Sequence, residues 1–170
     1  MNLAPIGTTF ERNRRAVSLR PSVGQGTAVT RVTLRDGLAC DIRDGKWELT
    51  TGMGPKSGGA GEGPDPGVLG RGALGSCLAV GYALWAAKAG LPLTSLEVEI
   101  QADYDVRGEY GLDGVTPGYE QIRYVVTIES EAPEDEVSRV VDEADAYSPY
   151  LNLFRSAQDV RRDLRIGART

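Results

Sequence analysis

Apolar and polar positions divide the chain into short alternating segments set around one long, nearly uncharged stretch. Residues 8–19 (TTFERNRRAVSL) place a Thr cap ahead of Glu11 and predict a short N-terminal helix, ended by Pro21. After a Ser/Gly linker at 22–27, Ala28, Thr30, Val32 and Leu34 alternate with Val29, Arg31 and Thr33, the period of a strand. Arg35-Asp36-Gly37 and Arg43-Asp44-Gly45 are tight-turn signals. Between them Leu38–Ile42 predicts a second strand, which carries Cys40. Trp47–Thr51 predicts a third, and three strands on tight turns make a meander.

The stretch from Val68 to Lys88 has no proline and, before its end, one ordinary charge, Arg71. Asp65 suits the N-cap and Pro66 the first helical position, where a missing N–H costs nothing. Gly90 and Pro92 end the helix. So long an uncharged helix is expected to be covered nearly all round, as the central helix of the domain. Cys77 lies near its middle, and on helical spacing its face carries Gly70, Ala73, Leu74, Val80, Gly81 and Leu84.

Beyond it, residues 95–104 alternate strictly, with Leu96, Val98, Ile100, Ala102 and Tyr104 opposite Glu97, Glu99, Gln101 and Asp103. Residues 106–118 read as a glycine-rich loop, and 119–129 alternate through Ile122, Tyr124, Val126 and Ile128. Pro133 opens an acidic helix with Val137, Val140, Val141 and Ala144 on its apolar stripe; Ser148-Pro149 ends it. Tyr150–Phe154 suggests an apolar turn, and Asp159–Ile166 a closing strand. Strands grouped before and after a central helix give an α+β fold with a mostly antiparallel sheet.

With 170 residues, one domain is expected. A net charge of −5 argues against a duplex nucleic-acid binder held by phosphate neutralisation, and Arg12, Arg14, Arg15 and Arg20 read as a solvated helix face. There is no histidine. That excludes Ser-His-Asp and Cys-His catalysis, H-E-x-x-H zinc sites and histidine-ligated haem. The two cysteines form no C-x-x-C pair, so neither a structural zinc nor a thioredoxin-type site is expected, and no metal or cofactor is assigned. Met1–Thr9 lacks the basic start and apolar run of a signal peptide. The apolar helix approaches a membrane span in length but has no second span beside it, so a cytoplasmic protein without a membrane partner is expected.

Gly70-Arg-Gly72-Ala-Leu-Gly75 spells a dinucleotide fingerprint, with Glu97 about the right distance on. The mechanism needs a strand feeding the first glycine, whereas here Pro66 has already opened a helix. These glycines therefore serve close packing. Lys56-Ser57 lacks the spacing of a P-loop. Taken alone, Cys77 is a small buried hydrophobe, and a reactive role would require a nearby arginine and an accessible cleft. Cys40, mid-strand, reads as packing.

The loop and helix GGAGEGPDPGVLGRGALGSCLA, the RDG turns and the S-P-Y after the acidic helix resemble the signature of the OsmC/Ohr family. There a GG…G-x-[ND]-P loop leads into a long central helix bearing a cysteine. The resemblance covers roughly residues 25–167 and implies a domain over 25–170, with 1–24 a helical extension and linker. It further implies an intertwined homodimer with sites at the subunit interface, and thiol-dependent reduction of organic hydroperoxides. In that chemistry one cysteine attacks the peroxide, and a second condenses with the sulfenic acid to a disulfide. Carried over by position, the attacking thiol falls on Cys77 and the activating arginine on Arg35. The family glutamate after the [ND]-P pair falls on Gly67, and the second cysteine on Ser148, so both groups are missing.

Two functions stay open. One is a one-cysteine cycle in which Cys77 becomes a sulfenic acid that an external thiol reduces. The other is a dimer that binds a small apolar ligand without turnover, in an interface cleft lined by Leu74, Trp85, Tyr147, Tyr150 and Phe154.

Overall fold

The computed structural model describes residues 1–167; the last three residues of the expected domain, 168–170, lie outside them. The elements run α1 (Ala4–Leu19), β1 (Arg31–Arg35), β2 (Ala39–Asp44), β3 (Trp47–Gly52), α2 (Pro66–Ala89), β4 (Ser95–Tyr104), β5 (Tyr119–Glu129), α3 (Glu134–Ala146) and α4 (Pro149–Arg155).

The central helix α2 has the bounds its sequence dictates. Asp65 Oδ1 accepts the Val68 N–H at 3.1 Å, and Gly90 closes the other end at φ +68°, a conformation that costs glycine nothing. Leu74, Leu78, Tyr82 and Ala86 recur every fourth residue and form its buried stripe. The first three pack with Ala144 and Leu151 against Leu96, Val98, Ile100, Ile122 and Val126 of the β4–β5 sheet. Ala86 joins Leu3, Leu91, Leu93 and Val140 in a second cluster. By length and composition α2 could cross a membrane; here it packs on α1, α3, α4 and β4.

Coverage all round, expected from the uncharged sequence, does not occur within one chain. Val80 is 59% exposed, and a Cβ built at Gly70, Gly72 or Gly81 would meet nothing within 4 Å. The chain's own elements lie against one flank of the helix and leave the other bare. The fingerprint-like glycines therefore divide: Gly75 packs tightly, 3.2 Å from Ile100 Cγ1 at its would-be Cβ, while Gly70 and Gly72 are open.

Two separate antiparallel sheets form, β1-β2-β3 and β4-β5. The second has the predicted limits, pairing Val98 with Val126 and Ile100 with Tyr124. The meander pairs Leu34 with Cys40 and Cys40 with Thr51. Its first strand is shorter than predicted, since pairing begins at Arg31. Val32, Leu34 and Leu49, on one face of the meander, are all exposed.

Three other expectations are corrected. The N-terminal helix starts at Ala4, not Thr8, because Pro5 occupies its first turn. Thr8 lies inside it and donates to the Ala4 carbonyl at 3.2 Å. That helix crosses α2 closely: a Cβ on Gly7 would fall 2.5 Å from the Ala87 carbonyl oxygen. Tyr150–Phe154 is not a turn but part of α4, capped by Ser148. Asp159–Ile166 is no strand; Arg161 and Arg165 pair with Asp159 and Asp163, each two residues away, and Val160, Leu164 and Ile166 stay exposed. Alternation gives a segment the face pattern of a strand but no partner, and among the described residues this one is paired in neither sheet.

Candidate functional site

Cys77 stands where the buried stripe of α2 meets its bare flank, and it is half-buried. Its sulfur lies 3.9 Å from Ser148 Oγ, across 71 residues of chain. Ser148 is buried and caps α4, accepting the Leu151 N–H at 3.3 Å. Its own N–H donates to the Asp145 carbonyl at 3.2 Å. The structure thus brings together the two positions that sequence reasoning assigned to the first and second thiol.

Asp145 fixes the turn that carries Ser148. One carboxylate oxygen accepts the Tyr82 hydroxyl at 2.7 Å, and the other accepts the Tyr124 hydroxyl at 2.5 Å. Tyr82 is 1% exposed and lies on α2 five residues beyond Cys77. Burial, then the bond to Asp145, pushes its phenol well above the ordinary range; Tyr124 shifts up for the same reasons in the same order. The arrangement straps α3 and β5 to the central helix close to the thiol. Nothing in the hydrophobic periodicity marks it.

Arg35 is not brought to Cys77 by hydrogen bonding within the chain. Its guanidinium pairs with Asp41 at 3.0 Å and Glu62 at 2.9 Å. A different arginine, Arg71, stands beside Gly67, the position to which the resemblance assigned a glutamate. A Cβ on Gly67 would sit 3.0 Å from Arg71 Nη1, and Arg71 donates to the Tyr119 hydroxyl at 2.9 Å. The sequence signal for Arg71 was its isolation, as the lone charge in an apolar helix.

The five candidate residues of the interface cleft have these surroundings within one chain. Leu74 belongs to the core. Trp85 is stacked on Tyr147 with ring centroids 5.1 Å apart, meets Phe10 edge-on, and lies 3.9 Å under the Lys88 ammonium. Tyr147, Tyr150 and Phe154 are exposed. An apolar groove of about 680 Å³ opens between α1 and α2, lined by Ile6, Phe10, Val17 and Leu84 among others.

Comparison with known proteins places this geometry. The family profile for OsmC-like proteins matches residues 59–162, a span that includes both Cys77 and Ser148. No curated protein matches. Among solved structures, an OsmC-like protein from Mycoplasma pneumoniae superposes with a TM-score of 0.66 at 16% identity, over 77% of this chain and 89% of that one. An organic hydroperoxide resistance protein from Legionella pneumophila gives 0.55 at 16% identity, over 76% and 90%. One from Elizabethkingia anophelis gives 0.56 at 16%, over 77% and 89%. At such identities these structures speak for the fold. With the profile spanning more than half of its residues and the fold shared with these proteins, the chain belongs to the OsmC-like protein family.

Proposed function

We propose that this chain is a one-cysteine thiol peroxidase acting on organic hydroperoxides as a homodimer. The observation that carries the proposal is the Cys77–Ser148 pair: a thiol on the central helix faces a hydroxyl that can form no disulfide. The Cys77 thiolate attacks the distal oxygen of the hydroperoxide. An S–O bond forms, the O–O bond breaks, and the alkoxide leaves and takes a proton as the alcohol. A low-molecular-weight thiol then attacks the sulfenic sulfur, releasing water and leaving a mixed disulfide. A second such thiol returns Cys77 to its reduced form and departs as the disulfide. The peroxide gains two electrons, and the two external thiols supply them.

The bare flank of α2 and the exposed apolar face of the meander support the dimer, because a second copy would cover both. We place Arg35 as the activating cation in that assembly, carried by the meander. Light scattering should return twice the chain mass, and a monomer would remove the dimer from the proposal. The chemistry is tested by a substoichiometric dose of cumene hydroperoxide with a cyclic 1,3-diketone trap, followed by intact mass. Rapid labelling that disappears in Cys77→Ser is expected. Labelling no faster than that of a free thiol would end the peroxidase proposal and turn attention to ligand binding.

A further inference from the structure

Building on that peroxidase proposal, we infer that Ser148 is a positioning residue that holds the sulfenic oxygen of Cys77, so that the site preserves the oxidised thiol instead of resolving it. Three observations carry the inference. The Ser148 hydroxyl is buried, with its residue 6% exposed, and its oxygen already accepts the Leu151 N–H. Its proton therefore needs an acceptor, and the side-chain partner it has is the Cys77 sulfur. In the thiolate the sulfur has no proton to give, so the hydroxyl must be the donor.

The spacing points to the oxidised state. At 3.9 Å the contact is long even for sulfur. One oxygen added to the sulfur enters this gap, and a bent S–O···H–O arrangement brings it to an ordinary O–H···O distance of about 2.7 Å. The contact thus improves on oxidation. The hydroxyl also stays in place, because Asp145 receives the Ser148 N–H on its carbonyl while its carboxylate is held by Tyr82 and Tyr124. A site that holds its sulfenic oxygen in this way gives an external thiol time to arrive, and slows attack by a second hydroperoxide that would yield the sulfinic acid.

The test uses the full chain with Cys40→Ser, which leaves Cys77 as the sole thiol. Protein is oxidised with one equivalent of cumene hydroperoxide and quenched into the diketone trap at intervals, and intact mass gives the surviving sulfenic acid. Adding Ser148→Ala should shorten its lifetime about fivefold, the worth of one modest hydrogen bond. It should also raise the sulfinic fraction. Ser148→Thr keeps a hydroxyl and should restore the lifetime, whereas Ser148→Gly, which keeps most of the stability of the cap but has no hydroxyl, should be as short-lived as Ser148→Ala; a purely structural role of the cap would instead leave Ser148→Gly close to the parent. Equal lifetimes in the parent and Ser148→Ala would overturn the inference and leave the peroxidase proposal standing. No sulfenic acid in the parent would overturn both.

Discussion

After stoichiometric organic hydroperoxide, the Ser148→Cys protein should hold a disulfide between Cys77 and the introduced thiol. The hydroxyl it replaces lies 3.9 Å from Cys77 Sγ, and a disulfide needs its sulfurs about 2.05 Å apart. The closing motion falls on residues 147 and 148, between two helices, because Cys77 sits mid-helix where the backbone is fixed. Cysteine caps a helix poorly, so the reduced variant should lose about 1 kcal/mol from the start of α4. Oxidation should more than return this, since closing a loop of this length contributes about 4 kcal/mol in the chain-entropy account. The measurement is intact mass after thiol alkylation, with thermal melts with and without a reductant. A fully oxidised sample that melts higher than the reduced one is expected. If both thiols stay free after peroxide in the native protein, the assignment of Ser148 to the second-thiol position is wrong.

The second large effect belongs to Asp145. Asp145→Ala removes the acceptor for two phenols at once, and that of Tyr82 is sealed from water. An unsatisfied buried hydroxyl costs about 1–3 kcal/mol, so with the partly buried Tyr124 the loss should be about 3 kcal/mol. For a domain of this size that lowers the melting temperature by roughly 9 °C. Tyr82→Phe, which takes the donor away together with its need, should cost only about 1 kcal/mol. In the Asp145→Ala, Tyr82→Phe double variant, part of the loss should be regained. Calorimetric melts of the three proteins decide it. Strict additivity would mean that the carboxylate and the phenol do not act together.

These two cases also mark where the sequence is informative. The limits of α2, β4 and β5 were legible because caps and strict alternation are local signals: Asp65-Pro66 before the helix, Gly90 after it, Glu97 to Asp103 on one strand face. Ser148-Pro149 repeats the acceptor-then-proline signature of Asp65-Pro66, so α4 could have been read by the same rule. The approach of Ser148 to Cys77 spans 71 residues and was legible only through family resemblance. The two-tyrosine clamp on Asp145 and the Arg71–Tyr119 bond had no periodic signal, since a polar contact between distant elements leaves no repeat in the chain. Asp159–Ile166 alternates convincingly yet among the described residues is paired in neither sheet, because alternation fixes which faces the side chains take and not which strand edge the segment meets.

The meander of β1, β2 and β3 has a further consequence. Its apolar side, with Val32, Leu34 and Leu49, has little of its own chain beneath it, unlike the β4–β5 sheet, which rests on α2. Where a second copy supplies that missing support, folding and assembly draw on the same free energy. The thermal midpoint then ceases to be a constant of the sequence and climbs with the logarithm of the amount of protein present. Dilution alone would act on this sheet as a denaturant does on an ordinary domain.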